Sequence, residues 1–248
     1  MRRFSFQSIQ PITMKYQFLL TLGLALILFS CAKRIEYTPE IIEQTSGRYL
    51  LTPDEVIEVF YDNNELFLKW RGAERLKPVV LDNNSFFVPD MYKKFHFVQH
   101  PQTGQRYLSV INKDDDTKIS YDYKKLKPGY KTPSMHLKDH EFEAALEGFM
   151  AIKTQDSTSI LIDEREFNSL GYEYLRKKKF DLAIEVFKIN VALYPESENV
   201  YDSLADGYLR TGDSLNAFVF YSKALELNSG NPRAKRYIKA YNDQQKSN

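Results

Sequence analysis

The sequence predicts an α+β chain of two domains: a small antiparallel all-β barrel or sandwich at residues 47–127, then an all-α array of helical hairpins at residues 139–243. Three observations support this. Apolar residues between Gly47 and Tyr123 alternate with period two in short runs, as strands with one buried face require. Beyond Asp139 the spacing changes to three and four, the period of a helix face. Residues 164–231 then repeat themselves at an offset of 34, the mark of stacked supersecondary units.

Taken in order, the chain opens on an export signal. Phe18 to Phe29 is apolar apart from Thr21 and Gly23, follows Lys15, and is too short to span a bilayer. It ends in Leu28-Phe29-Ser30-Cys31, which resembles the lipobox of bacterial lipoproteins. That resemblance implies a signal peptide at 1–30, lipid attachment at Cys31, a lipidated linker at 31–46 and a lipid-anchored place in the bacterial cell envelope, on the periplasmic face or the outer membrane. Cys31 is the only cysteine, so no disulfide forms within the chain. Met14 is an alternative start, since Lys15 and the apolar run already make a complete signal.

Charge narrows the partners. Arg2, Arg3 and Lys15 are the only charged groups in the first thirty residues, so of 34 basic and 33 acidic groups 31 and 33 remain, net −2. Such a chain has no field for nucleic acid, and no nucleic-acid partner is expected.

Eight short strands are expected in the β domain: Arg48–Leu51, Val56–Tyr61, Leu66–Trp70, Pro78–Leu81, Phe86–Val88, Phe95–Val98, Tyr107–Ile111 and Lys118–Tyr123. Turns fall at Asp62-Asn63-Asn64, Asp82-Asn83-Asn84, Pro101–Gly104 and Asn112–Asp116. The Gly47-Arg48-Tyr49 strand, the Asn-Asn turn into Leu66-Phe67-Leu68, the Leu76-Lys77-Pro78 segment and the Phe86 strand come in a suggestive order. With Glu166–Tyr172 and Asn199–Leu204 further on, it is similar to the small β domain plus tetratricopeptide tail that follow the catalytic domain in bacterial β-lactamase-like serine hydrolases, a resemblance that runs from about Gly47 to Ala234. The catalytic domain itself is not covered. Those enzymes need a Ser three residues before a Lys and a Tyr-x-Asn element in one cleft. Here Ser30–Lys33 straddles the signal cleavage point and Tyr61-Asp62-Asn63 lies in a hairpin turn, so the chain is read as no enzyme.

Residues 128–138, with Pro128, Gly129 and Pro133, read as a linker. Phe142, Ala145, Leu146 and Phe149 then share a face of a helix at 139–153, a degenerate second helix of a preceding unit. The two full units are 164–197 and 198–231. Phe167, Leu170, Gly171, Tyr174, Ala183 and Phe187 return as Tyr201, Leu204, Ala205, Tyr208, Ala217 and Tyr221. This spacing resembles the tetratricopeptide (TPR) repeat, with departures at Ala205 and Ser229, and it implies hairpins packed through small residues. Tyr174 and Tyr208 are expected to fill the space alongside, each costing about 3–5 kcal/mol on truncation. A capping helix at 232–243 closes the array, and 244–248 is a tail.

The TPR resemblance also points to a protein-binding groove lined by first helices. The residues not spent on packing there are Arg165, Asn168, Tyr172, Arg176, Asp202, Asp206, Arg210, Arg233 and Arg236, able to grip an unidentified protein or peptide by charge-assisted bonds. The plain alternative is a solvated polar surface. A clamp for a C-terminal carboxylate needs Lys and two Asn where Asn168, Tyr172 and Ser203 stand.

The histidines fall in pairs spaced by four, His96 with His100 and His136 with His140. On one helix the second pair would offer two corners of a zinc site, with Asp139 or Glu143 as a third ligand. There is no HExxH, however, and Lys113–Asp116 lacks the Gly and distant Glu of a calcium loop. No metal and no cofactor is expected.

The leading functional expectation is a non-catalytic, membrane-anchored envelope lipoprotein whose TPR module mediates protein contact. One alternative is small-ligand or glycan binding by the β domain, with Trp70, Phe86, Phe95 and Tyr107 as lining. Another, by analogy alone, is an accessory subunit of a β-lactamase-like serine hydrolase.

Overall fold

A computed structural model describes residues 35–112, 115 and 118–247. The signal segment, Ser30, Cys31, Lys33, and Lys113, Asp114 and Asp116 of the acidic turn lie outside the described residues.

The N-terminal half holds two antiparallel sheets. The first has the order β1 (Gly47–Thr52), β2 (Glu55–Asp62), β3 (Glu65–Trp70), β4 (Ala73–Leu76); the second runs β5 (Val79–Val80), β6 (Ser85–Val88), β7 (Lys93–Gln99), β8 (Arg106–Val110), β9 (Tyr123–Lys124). Their inner faces share one core containing Tyr49, Ile57, Leu68, Phe86, Phe95 and Leu108, all 0% exposed. A Tyr49–Lys125 bridge and a Leu126 N–H bond to Arg48 O at 2.7 Å join β1 to the end of β9.

The turns follow from their residues. Asn63 and Asn64 both take positive φ (49° and 61°) between β2 and β3, the backbone of the tight hairpin turn that asparagine tolerates. Asn64 also accepts from Tyr37 N–H at 2.7 Å and donates to Tyr37 O at 2.9 Å. This seats the segment before helix α1 (Pro39–Thr45) against the core. Tyr61 of the Tyr-x-Asn element is spent here as well, its hydroxyl 2.6 Å from Thr45 Oγ1.

Three details depart from the sequence expectation. Arg71 and Gly72, at φ 48° and 81°, make a second tight turn and bring back an additional strand, β4. Residues 39–45 form α1, with Thr38 capping and Pro39 in the first turn. The expected strand at Lys118–Tyr123 pairs only at its end, where Tyr123–Lys124 meets Tyr107–Leu108. Side chains replace the ladder there: Ser120 N–H donates to Ser109 Oγ at 2.9 Å, and Val110 N–H to Asp122 Oδ2 at 2.7 Å.

The C-terminal half is a row of helices: α2 (Pro133–Lys138), α3 (Phe142–Gln155), α4 (Glu164–Arg176), α5 (Phe180–Leu193), α6 (Glu198–Thr211), α7 (Ser214–Leu227) and α8 (Pro232–Ser247). The hairpin α4–α5 recurs as α6–α7 with starts displaced by 34 residues and ends by 34 or 35. Within residues 128–138 the chain forms α2, capped by Thr132, and packs Pro133 onto Gly148 of α3 so closely that a Cβ there would lie 2.4 Å from the ring. The helix expected at 139–153 therefore has a short first helix in front of it. Asp54 of the β half accepts from Ser134 N–H at 2.7 Å, and Arg48 donates to Tyr130 O at 2.6 Å, tying the halves together.

Tyr174 and Tyr208 are only half-buried. The positions sealed between the helices are Phe187 and Tyr221, at 0% and 1% exposed. An added Cβ on Gly171 would sit 2.3 Å from the Phe187 ring, which is itself 0% exposed and 3.3 Å from where a Cβ on Gly207 would stand. Gly171→Ala should therefore cost about 1–3 kcal/mol through overpacking, despite alanine's better helix propensity. A thermal melt read by circular dichroism checks this, and an unchanged midpoint would contradict it.

Candidate functional site: the face of α4, α6 and α8

The 34-residue offset places Arg165, Asn199 and Arg233 at one equivalent position of successive first helices, and Asn168, Asp202 and Arg236 at another. Tyr172 and Asp206 match in the same way. Five of the nine expected groove residues meet in one network. Arg233 Nη1 donates to Tyr172 OH at 3.1 Å, lies 3.1 Å from Asp202 Oδ2, and is 3.8 Å from Asp206 Oδ2. Arg210 Nε lies 3.3 Å from Asp206 Oδ2. A side chain of α8 thus reaches one of α4 past α6, which makes this the inner side of a curled row.

Burial sets the charges. Asp202 is 7% exposed, and desolvation pushes its carboxyl above the usual range, while Arg233 and Asn231 pull it back down. Burial also works against the Arg233 charge, but the Tyr172 hydroxyl and the two carboxylates outweigh it and keep the guanidinium protonated. Tyr221 beneath is raised by burial and by Asp206 and Asp202.

Asp202 and Arg233 were expected to be open to a partner. The structure uses them on each other, because a carboxylate sealed under α8 needs a cation at hand. The other four lie apart. Arg165 turns back to its own helix cap, 3.1 Å from Asp163. Asn168 is half-buried, with its Oδ1 unpartnered among the described residues. Arg176 and Arg236 are exposed and make no ion pair among the described residues. Sequence reasoning missed Asn231, which donates to Asp202 Oδ1 at 3.0 Å and to Glu198 Oε2 at 3.2 Å. Glu164, equivalent to Glu198, likewise accepts from Asn199 at 3.0 Å. That recurring Glu with an Asn about one repeat later was the available signal.

The other candidates separate. His136 and His140 do not share a helix, since α2 ends at Lys138 and His140 takes φ 62°. His136 Nδ1 instead lies 2.5 Å from Glu141 Oε2, and Asp139 pairs with Lys131 at 2.7 Å. Among the described residues no group of three metal-ligating side chains comes together. The aromatic residues expected to line a β-domain site are used otherwise. Phe86 and Phe95 are fully sealed in the core with rings 5.5 Å apart, Trp70 donates to Glu55 at 2.8 Å, and Tyr107 packs on Tyr121. Alternation turns Phe86 and Phe95 inward, where packing claims them.

Fold and site together define a β domain joined to a helical-hairpin row of TPR spacing. No family model matches this chain, and no curated protein matches it. Among solved structures it is similar to the first TPR of Spaghetti (RPAP3) bound to HSP90 peptide SRMEEVD, at 18% identity and TM-score 0.32, covering 46% of this chain and 86% of that one. It is also similar to MamA, at 21% identity and TM-score 0.32 over 46% and 64% of the two chains. A third similar structure is PcrH from Pseudomonas aeruginosa, at 18% identity and TM-score 0.30 over 44% and 84%.

Proposed function

We propose that this chain is a lipid-anchored envelope protein whose helical row holds an acidic segment of another protein against α4, α6 and α8. The observation that carries this reading is the network itself. Asp202 and Asp206 are neutralised from within by Arg233 and Arg210. The nine groove residues comprise five arginines and two aspartates, formally net +3; Arg165 is paired with Asp163, while Arg176 and Arg236 are exposed with no ion pair among the described residues. An extended acidic peptide meets complementary charge along such a face.

The anchor fits the same picture. Ile35, only four residues after Cys31, packs onto the β core, as does Tyr37. A lipid on that cysteine would hold the β domain within about 14 Å of the bilayer, at roughly 3.6 Å per residue.

Crosslinking and pull-down from membranes tests the binding face. Arg176→Glu with Arg236→Glu should weaken partner retention at least about tenfold with an unchanged melting temperature. Retention should also fall as salt is raised. Full retention by the double variant would dismiss the acidic-segment reading, and equal incorporation of labelled palmitate by wild type and Cys31→Ser would dismiss the anchor.

A further inference from the structure

A cleft of about 1600 Å³ runs along the outward face of the second sheet. Its floor is polar and built. Ser85, His96 and Ser109 stand opposite one another across β6, β7 and β8, so one face presents them side by side. Ser85 is 6% and Ser109 2% exposed. Ser85 Oγ lies 2.7 Å from His96 Nδ1, which fixes the ring, and Nε2 has no hydrogen-bond partner among the described residues.

The charges here are uneven. Among the described residues the lining has two carboxylates, both engaged by nearby N–H and O–H groups: Asp82 accepts from Asn84 N–H at 2.7 Å, and Asp122 from Val110 N–H at 2.7 Å and from Ser120 Oγ. Lys94, two residues before His96 and so on the same face, lines the cleft with Lys118. Neither pairs with a carboxylate among the described residues. The walls are apolar and open to solvent, with Val79 52%, Leu81 46% and Ile119 57% exposed.

We propose that this cleft binds a small acidic amphiphile, an aliphatic chain ending in a carboxylate or phosphate monoester. The acid head lies against His96, Lys94 and Lys118, and the chain lies along Val79, Leu81 and Ile119. A neutral sugar would leave the lysines unmatched, and a bare anion would leave the walls wet. The site is on the β half and does not depend on the helical face.

The test uses the full chain in non-ionic amphipol, with His96 followed by nitrogen-15 NMR and assigned by His96→Gln. Octyl phosphate and octanoate, each below its micelle concentration, should shift the His96 signal saturably. One or both should bind at least about tenfold more tightly than 1-octanol or inorganic phosphate. Lys94→Glu with Lys118→Glu should lose at least about tenfold at an unchanged melting temperature. Equal affinity for octanol, equal affinity for inorganic phosphate, comparable binding of a neutral oligosaccharide, or an unaffected lysine variant would each overturn the proposal.

Discussion

Phe187→Ala is expected to remove about 3–5 kcal/mol of stability and to unfold the helical half first. The ring is 0% exposed on α5 and lies against both α4 and α6. It fills the hollow left by Gly171 of α4, packs edge-on to Tyr172 at 5.3 Å, and lies against Gly207 of α6, where a Cβ would approach it to 3.3 Å. In a repeat array each unit is held by its own packing and by its neighbours. One truncation here weakens the α4–α5 hairpin and its interface with α6 together. Tyr174→Ala and Tyr208→Ala should cost less, since both rings are half-buried and Tyr208 mainly stacks on Phe220. Hydrogen exchange provides the readout: amides of α4 to α7 should lose protection while β2 and β3 keep theirs. A loss under about 1 kcal/mol would place the keystone of the array elsewhere.

How far the sequence could be read depends on the range of the interaction. The helical hairpins were legible because Phe167, Gly171, Ala183 and Phe187 recur on the helix period, and such packing is local. The inward faces of β2 and β3 were legible for the same reason, through Val59 opposite Leu68 and Tyr61 opposite Leu66. What was not legible were short elements and remote meetings. Helix α1 has seven residues, too few to display a period. Strand β4 depends on a turn at Arg71-Gly72, where an arginine in left-handed backbone gives little warning. Residues 118–122 have a strand's pattern, yet Ser109 and Asp122 take the hydrogen bonds a ladder would use. At the candidate site Tyr172, Asp202, Asp206, Arg210 and Arg233 were found by their repeat positions, whereas Asn231, in the loop before α8, was not. That Arg233 would close onto Tyr172, 61 residues away, is a consequence of the row's curl, which no single repeat encodes.

Arg233→Met should cost about 2 kcal/mol at pH 7, and the cost should shrink in acid. Removing the cation leaves Asp202 sealed at 7% exposure beside Asp206, with Asn231 as its remaining donor. Stranding a fully buried charge costs more, about 3–5 kcal/mol. The lower figure reflects an arginine side chain that is 47% exposed and partly screened by water. The pH dependence follows from burial having raised the Asp202 carboxyl above its ordinary 3.8. Between that value and the raised one the folded chain binds more protons than the unfolded, so this group's contribution to stability falls as pH rises through the window. Without Arg233 the carboxyl rises further and the window widens upward. Asp202→Asn should abolish this component of the slope, and the Asp202→Asn, Arg233→Met double variant should recover most of the loss at pH 7, because no buried charge is left without a partner. Urea midpoints of the four proteins from pH 4 to 7 measure all of this. Equal destabilisation by Arg233→Met at both ends of the range would mean that Arg233 serves through packing rather than through its charge. In that event the curl joining α4 to α8 would be set by apolar contacts such as Tyr221 on Tyr237, whose rings lie 4.9 Å apart.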